Sequence, residues 1–368
     1  MLFLLKKIFI LNLLAKKIIR IKKVFIFIIL FIIIFLMNYK YNKKKNRKIG
    51  VIGLRHEINV GNNLLKYALS ILLKEMGYKP YIVGTRLDNY NISFINKTTN
   101  LIIIKKNFSE IKKSDYDILI VNSDQTWRKF DKHFLDYGFL KFAENWNITK
   151  FVYGASLGYN YWNMSYEDEK KAKKLLKSFK GISVREKGAI NLIKKHFGII
   201  PEIVLDPTLL INKKYYLDLI INYKKKINTK YIFVYKIKNF KEIKDFIIKS
   251  SYELNYKVYE YKLNKYKSNI EDFIYYISNS RAVITNSFHG TIFSIIFNKP
   301  FVTFNWKGIP EERLNSLGSL LGVRNRIFTN NIIPDIKLLI TPLKVDISLI
   351  ENLRTKSINF IKKNLEIK

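Results

Sequence analysis

The sequence predicts an α/β protein with parallel sheets, built from two successive sets of strand–helix units. Short apolar runs alternate with amphipathic stretches from Ile49 onward, which is typical of strand–helix units around a parallel sheet. A lysine-rich stretch, residues 212–230, interrupts this pattern, which resumes near Tyr231. The chain has 368 residues, 48% of them hydrophobic, so it is long enough for two domains with separate cores.

The first set of units occupies residues 49–211 and contains seven apolar runs that we interpret as strands. In chain order they read KIGVIGL, YIVGT, NLIII, DILIV, KFVYG, GISV and EIVL. A helix is predicted after the first strand, because apolar residues recur at helical spacing from Leu64 to Met76 and Gly77 ends the pattern.

The second set occupies residues 212–335, beginning with the lysine-rich stretch as a linker. Its predicted strands read YIFVYKI, KVYEYKL, AVIT and FVTF, with amphipathic stretches between them. Residues 336–368 form a separate tail that ends in an amphipathic helix.

Residues 1–48 differ from the rest, with 13 Lys and Arg residues and no Asp or Glu. The 14-residue run Val24–Met37 is apolar throughout, but as a helix it rises only about 21 Å, less than a bilayer core of about 30 Å. We therefore expect a shallow membrane-associating anchor assisted by lysines, with a basic interfacial helix before it. The alternative is that translation starts at Met37, which would leave a cytoplasmic enzyme.

Composition limits the classes of partner and chemistry. The formal net charge is +37, which indicates either a solvated basic surface or attraction to anionic lipid and anionic substrates. Nucleic-acid binding is not expected, since no basic module interleaved with aromatic residues is visible. The chain has no cysteine, which excludes disulfides, thiolate metal sites and cysteine nucleophiles.

The loop NSFHG between the strand AVIT and the next helix is the strongest candidate site. Ligands of open α/β sheets bind beyond the carboxyl ends of strands, and free N–H groups at a helix start suit an anion. His289 is the candidate catalytic residue, with Ser287, Gly290 and Thr291 as candidate ligand contacts. The alternatives are a capping or core histidine, and helix caps at Ser287 and Thr291.

Arg185 directly follows the strand GISV, where a guanidinium can bind a carboxylate or phosphate through two hydrogen bonds. Its alternative role is a surface ion pair with Glu186 or Glu202.

Three further loops carry candidate substrate contacts. The candidates are Ser123, Asp124 and Gln125 after DILIV, Ser156 after KFVYG, and Asn59, Gly61 and Asn62 before the first helix. The alternative for the loop after DILIV is a plain turn with a helix cap, and the alternative for the loop before the first helix is an ordinary loop with a helix cap. The sequence has no dinucleotide fingerprint, no Walker loop and no cluster with metal-ligand spacing. The residues alone thus indicate an α/β enzyme acting on a small anionic ligand.

Several of these loops together resemble the polysaccharide pyruvyl transferase family. The matching segments, which keep the family's order and spacing across residues 48–330, are GNNLLKYAL, SDQTW, YGASLG, ISVRE, VLDPTLL, ITNSFHGTIFSIIFNKPFVTF and ERLNSLGSLLGVRNR. One departure is Asn122, where a glycine is common before SDQ.

The resemblance implies a glycosyltransferase-B-like architecture, with two Rossmann-like domains facing a cleft and a C-terminal helix returning to the first domain. It also implies transfer of pyruvate from phosphoenolpyruvate to a saccharide, free or lipid-linked, as a ketal in cell-surface polysaccharide biosynthesis. His289 would then be the acid that protonates the donor, and Arg185 with the helix start at Gly290 would hold its anionic groups. No cofactor or metal is expected besides the donor substrate.

Two other functions stay open on this architecture. One is a glycosyltransferase that uses a nucleotide sugar, and the other is a non-catalytic, membrane-bound saccharide-binding protein. Because phosphoenolpyruvate is a cytoplasmic metabolite, the pyruvyl transferase interpretation predicts that the enzyme lies at the cytoplasmic face of the membrane.

Overall fold

The computed structural model describes residues 22, 25–35, 47–54, 59–84, 102–105, 107–129, 132–224, 227–262, 269–305, 311–329 and 332–366. Within these residues the strands form two sheets, one of seven strands and one of five, and every strand pair is parallel. The predicted class of parallel-sheet α/β protein is confirmed.

The first sheet has the strand order β3-β2-β1-β4-β5-β6-β7. Its strands are β1 (Lys48–Ile52), β2 (Lys79–Gly84), β3 (Ile102–Lys105), β4 (Ile118–Val121), β5 (Thr149–Ala155), β6 (Gly181–Val184) and β7 (Glu202–Ile203). The helices of this part are α1 (Val60–Glu75), α2 (Phe134–Phe139), α3 (Tyr166–Leu176) and α4 (Gly188–Phe197). All seven predicted strands are present; β7, at the edge of the sheet, has only two residues, of which Glu202 is exposed.

The second sheet has the order β12-β11-β10-β8-β9. Its strands are β8 (Tyr231–Tyr235), β9 (Lys257–Tyr261), β10 (Ala282–Thr285), β11 (Phe301–Phe304) and β12 (Ile327–Phe328). Its helices are α6 (Lys241–Leu254), α7 (Ile270–Asn279), α8 (Phe288–Ile296) and α9 (Glu311–Leu320). The two-residue strand β12 was not predicted, since two residues carry no periodicity.

The predicted linker is partly folded. Residues Lys213–Asp218 form helix α5, and its Tyr216 is fully buried. The Tyr216 hydroxyl donates to the carbonyl of Thr208 at 2.8 Å, and its ring meets that of Phe293 edge-on at 5.0 Å. The connection between the sheets therefore packs against both of them and is not a free tether.

Helix α1 is almost entirely buried, as a helix between two layers must be. It begins at the cap residue Asn59, whose side chain accepts from the Gly61 amide at 2.9 Å, and it ends before Gly77 in the left-handed region, at φ 85°. The largest apolar cluster joins α1 to residues of both sheets, including Phe151 of β5 and Phe233 of β8. One apolar cluster thus spans both sheets, and two further clusters each belong to a single sheet.

The last helix, α10 (Ile347–Leu365), packs on the first sheet. Its Phe360 ring lies 6.2 Å from the rings of both Phe151 and Tyr153 on β5. The Leu205 amide donates to Ser357 Oγ at 2.9 Å, which ties the same helix to the loop after β7. The predicted return of the C-terminal helix to the first domain is confirmed.

Most of the predicted anchor, residues 1–48, lies outside the described residues. Residues 25–35 are helical, and their large apolar side chains are 43–72% exposed. None of the described helices combines the length and the apolar character that crossing a membrane requires.

Candidate active site

The candidate site lies at the carboxyl ends of the strands, where the loops of both sheets meet. The first sheet contributes the loops after β4, β5, β6 and β7, and the second contributes the loop after β10. This is the edge where the topology of parallel sheets places ligand sites.

Arg185 is the centre of a buried ionic network. Its Nη1 donates to Asp206 Oδ2 at 2.6 Å, and its Nη2 donates to Asp124 Oδ1 at 2.8 Å. The Arg185 side chain is 1% exposed, so it is not a surface residue, and the Glu186 carboxylate named in the alternative lies 4.0 Å from its Nε inside the protein. Glu202 lies at the surface and pairs with Lys363 at 3.5 Å.

The network fixes the charges of its members. Burial raises the pKa of Asp124, but the guanidinium of Arg185 outweighs burial and holds that pKa below its usual range. Burial lowers the pKa of Arg185, but the carboxylates of Asp124 and Asp206 outweigh burial and hold that pKa above its usual value. A cation and two acids are thus held together out of water.

Asp124 has an unusual backbone conformation, with φ 101°. Its carbonyl accepts from the amides of Thr126 at 2.7 Å and Ser156 at 2.9 Å, and it forms an isolated parallel bridge with Ala155. A non-glycine residue in this region costs about 1–3 kcal/mol, which the surrounding hydrogen bonds offset. Strain of this kind is typical of functional loops.

The other predicted residues of these loops hold the site's shape. Ser123 Oγ donates to the Gly154 carbonyl at 2.8 Å and lies 3.4 Å from Arg185 Nη1. Ser156 Oγ accepts from the Gly158 amide at 3.1 Å. Gln125 Oε1 accepts from Arg128 Nη1 at 2.8 Å.

His289 is buried in the first turn of α8, with 3% of its surface exposed. Burial lowers its pKa to about 4, so the imidazole is neutral at physiological pH. Its Nε2 lies 4.0 Å from Asp206 Oδ2 and has no hydrogen-bond partner among the described residues. The helix is capped by Ser287, whose Oγ accepts from the Gly290 amide at 3.4 Å, and not by His289.

The first helix of the first sheet reaches this histidine. A Cβ atom added at Gly61 would lie 2.1 Å from His289 Nδ1, so only glycine leaves room for the ring. Asn59 caps the same helix, and Asn62 is buried beside it with 3% exposure. Gly61 and Asn62 were predicted to precede the first helix, but they lie in its first turn, because the helix already begins at Val60 after the Asn59 cap. This turn and the NSFHG segment come from different sheets and meet at His289.

Two predicted contacts of the NSFHG loop are used inside the fold. Thr291 Oγ1 donates to the Ser287 carbonyl at 3.0 Å and is hydrogen-bonded to Thr303 Oγ1 at 2.8 Å. At Gly290, an added Cβ would lie 2.3 Å from Thr285 Oγ1. These two residues set how closely α8 approaches its neighbouring strands.

Sequence reasoning did not single out Arg313, which α9 brings to the site. Its Nη1 lies 3.7 Å from Asp124 Oδ1, and its side chain is 7% exposed. The guanidinium carbons of Arg185 and Arg313 lie 4.4 and 5.4 Å from the ring centroid of Phe288. Burial and the charge of Arg185 lower the pKa of Arg313 to about 10, which leaves it cationic. The sequence feature that could have identified Arg313 as a site residue is the use of arginine in a chain whose cations are mostly lysine.

Glu186 and Asp206 were also missed as site residues. Glu186 Oε1 accepts from the amides of Leu157 at 2.9 Å and Gly158 at 3.4 Å, and burial raises the pKa of this carboxyl group. Asp206 joins the network through Arg185 and also accepts from the Thr208 hydroxyl at 2.6 Å. Carboxylates next to a loop arginine gave a weak signal, because most such acids are surface residues.

Four buried polar atoms of the site have no hydrogen-bond partner among the described residues: Arg185 Nε, Arg313 Nε, His289 Nε2 and Glu186 Oε2. Buried polar groups in folded proteins are nearly always paired, so a cluster of unpaired ones indicates a place where a ligand bonds. Two belong to cations, and the ligand that suits them is an anion. The described residues hold no group of three or more His, Cys, Asp or Glu side chains that fits a metal ion.

The sequence pattern of the family described as polysaccharide pyruvyl transferase matches residues 59–308, more than half of the chain. The chain belongs to the polysaccharide pyruvyl transferase family. The matched region runs from Asn59 at the start of α1 past the NSFHG loop, so it contains most of the residues described above. No curated protein sequence matches the chain.

Solved structures with the same architecture include the UDP-GlcNAc 2-epimerase of Methanocaldococcus jannaschii. It has a TM-score of 0.50 and 14% sequence identity, covering 80% of this chain and 90% of that one. Arabidopsis thaliana UGT89C1, complexed with UDP-L-rhamnose, has a TM-score of 0.50 and 10% identity, covering 87% and 98%. At these identities the likeness concerns the fold alone, and it confirms the predicted glycosyltransferase-B-like architecture of this pyruvyl transferase family member.

Proposed function

We propose that this enzyme transfers a pyruvyl group from phosphoenolpyruvate to a saccharide and forms a pyruvate ketal in polysaccharide biosynthesis. Membership of the family supports a polysaccharide-modifying transferase. The observation that carries the finer proposal is the pair of buried arginines with unpaired Nε atoms beside a buried histidine. Phosphoenolpyruvate has two anionic groups and one carbon that must receive a proton, which matches two cations and one acid.

The donor's carboxylate and phosphate would be bound by Arg185 and Arg313. Arg185 is already engaged by Asp124 and Asp206, whose two carboxylates outweigh its single charge, so it contributes through its Nε–H group. Among the described residues Arg313 makes one ionic contact, with Asp124 at 3.7 Å, and it is the less engaged of the two arginines. The starts of α1 and α8 both lie at His289 and add the positive potential of helix N-termini.

His289 would act as the general acid. Its imidazole is neutral in the ligand-free protein, and the negative charges of a bound donor favour the imidazolium and raise its pKa. The proton passes to the methylene carbon of phosphoenolpyruvate, which makes carbon 2 electrophilic. A sugar hydroxyl adds there and loses its proton, phosphate leaves, and a second hydroxyl of the same sugar closes the ketal and releases another proton.

The acceptor would lie at the loop after β4, beside Gln125, which is half-buried and whose Oε1 accepts from Arg128 Nη1. A saccharide is the acceptor class, either free or attached to a lipid. Because phosphoenolpyruvate is made in the cytoplasm, we place the enzyme at the cytoplasmic face of the membrane, with residues 1–48 as its anchor. No cofactor takes part in this reaction beyond the donor substrate.

The test is a donor assay with the full-length protein and a panel of free and lipid-linked saccharides. We expect phosphate release from phosphoenolpyruvate that depends on the acceptor, together with a ketal methyl signal of the product in NMR spectra. Sugar transfer from a nucleotide sugar without phosphate release from phosphoenolpyruvate would instead identify a glycosyltransferase. Saccharide binding with neither reaction would identify a binding protein.

A further inference from the structure

A cavity of about 1050 Å³ lies at the opposite edge of the first sheet from the candidate active site. It runs along the amino ends of the neighbouring strands β1, β4, β5 and β6, whereas the catalytic loops follow the carboxyl ends of β4, β5 and β6. Its lining includes Arg47, Lys113, Tyr116, Lys150, Phe179 and Lys180. The candidate active site uses none of these residues.

Cations outnumber acids at this edge. The larger cavity is lined by four cations and one acid, Asp117; Lys150 is buried, and Arg47 and Lys180 donate to carbonyls at the end of α10. A second cavity of about 480 Å³ shares Phe179 and Lys180 with the first and adds Lys173 and Lys177. We call the residues lining these two cavities the basic edge. It combines lysines with aromatic rings, as surfaces at a membrane interface do.

The position of Arg47 connects the basic edge to the N-terminal segment. Arg47 lines the larger cavity, and its Nη1 donates to the Leu365 carbonyl at 3.0 Å, so the chain enters the folded body here. The exposed apolar helix of residues 25–35 is joined to Arg47 by residues 36–46, which span at most about 40 Å. Whatever surface that helix binds must therefore lie within about 40 Å of Arg47.

We propose that the basic edge docks the folded body onto an anionic lipid bilayer. The apolar helix enters the surface of the bilayer while the lysines of the basic edge contact lipid phosphates. Each cation close to an anionic surface strengthens such binding by roughly fivefold. This inference does not rest on the proposed pyruvyl transfer, because it concerns the other end of the sheet and its test does not measure activity.

Vesicle binding of the full chain measures the contribution of the basic edge. The variant Lys113→Glu/Lys177→Glu changes two exposed lysines of the basic edge, and Lys241→Glu/Lys244→Glu makes the same charge change on α6 of the second sheet. With vesicles of equimolar phosphatidylcholine and phosphatidylglycerol, the first variant should need on the order of tenfold more lipid for half-saturation. The control should behave like the wild-type protein. Equal weakening of both variants, or weakening of neither, would overturn the proposal.

A second measurement uses the absence of cysteine from the chain, which allows a fluorophore at one chosen site. Ser114→Cys places it in the larger cavity, and Tyr252→Cys places it on α6, where Tyr252 is 87% exposed. Anionic vesicles should shift the emission of the Ser114 label to the blue and leave the Tyr252 label unchanged. No shift at Ser114, or equal shifts at both sites, would contradict docking through the basic edge. If the protein binds a free polyanion as tightly as vesicles, and vesicles cause no blue shift at Ser114, the edge is a general anion site and the proposal is wrong.

Discussion

The imidazole of His289 lies directly against the backbone of Gly61, so that a Cβ atom at position 61 would fall 2.1 Å from Nδ1. The two residues belong to helices that pack on different sheets. Their contact therefore joins the first unit of the chain to the candidate acid of the second. A methyl group at this point must move either the ring or the start of α1.

We expect Gly61→Ala to lower turnover by about a hundredfold, since a shift of about 1 Å in a catalytic group has that effect. The expected loss of stability is about 1–3 kcal/mol, as for other overpacked sites. Turnover is measured by phosphate release, and stability by urea unfolding. Gly198→Ala is the matched control, because Gly198 has φ 73° and no atom within 4 Å of its added Cβ. It should lose stability and keep its activity. Wild-type turnover in Gly61→Ala would show that the ring position does not matter.

His289→Asn should lower turnover by about 10²–10⁴, the usual effect of losing a general acid. Asparagine fills much of the same space and keeps a polar group beside Asp206, so folding and donor binding should change little. Calorimetry with phosphoenolpyruvate measures the binding, and phosphate release measures the turnover. A variant with unchanged turnover would assign His289 to the structure of the site only.

The lowered pKa of His289 predicts a pH dependence of stability. An unfolded histidine binds a proton below about pH 6.5, whereas His289 in the folded protein stays neutral down to about pH 4. The unfolded state therefore binds more protons between these values, and the stability of the wild-type protein falls as the pH is lowered through this window. The fall attributable to His289 is up to about 3 kcal/mol. Urea unfolding from pH 7 to pH 4 should show a smaller fall for His289→Asn, and identical pH profiles would disprove the buried neutral state.

The two arginines should respond differently to substitution. Arg185→Lys breaks the double hydrogen bonding to Asp124 and Asp206 and leaves a buried acid without its partner, so a loss of about 3–5 kcal/mol in stability is expected. Donor binding should weaken with it, since lysine lacks the Nε–H group through which Arg185 would contact the donor.

Arg313→Gln should lower donor affinity strongly and stability only slightly. Within the part of the chain that the structure describes, Arg313 makes one ionic contact, at 3.7 Å, and its Nε has no hydrogen-bond partner, so its removal costs little stability. Affinity for phosphoenolpyruvate should fall by about ten- to a hundredfold, the effect of losing one charge-assisted hydrogen bond. Calorimetry and urea unfolding on both variants separate the two roles. Unchanged donor affinity in Arg313→Gln would remove it from the binding site.

The return of α10 to the first sheet can be tested at one side chain. Phe360 is 2% exposed between Phe151 and Tyr153, and Phe360→Ala should cost about 3–5 kcal/mol of unfolding free energy. Ile347→Ala on the same helix is the control, since Ile347 is 74% exposed and its change should be close to neutral. Equal urea midpoints would mean that α10 is not part of the core.

The sequence was sufficient to predict the strands and the loops that follow them. Apolar runs such as DILIV and AVIT are set by local periodicity, and the position of their loops follows from parallel topology. It was not sufficient to predict which side chains meet across the sheets. The contact of Gly61 with His289 joins residues 228 positions apart, and nothing in either local pattern encodes it.

The sequence also did not predict which charged side chains pair with one another. Arg185 was predicted to bind a carboxylate or phosphate, and its contacts with Asp124 and Asp206 depend on how three loops pack. Asp124 was a candidate substrate contact, and the structure shows its carboxylate bound to Arg185. Whether a carboxylate contacts substrate or forms an internal ion pair depends on its burial. The pattern of a single sequence predicts burial only for apolar residues.

The packing of α10 also affects how the protein is made. The ribosome completes β5 long before it reaches Phe360, and about 160 residues separate β7 from the end of α10. At about 5–20 residues per second, the apolar face of Phe151 and Tyr153 waits on the order of ten seconds for its cover. The first sheet therefore cannot finish folding while the second is still being translated, and during that interval the nascent chain presents an aromatic surface that chaperones recognise.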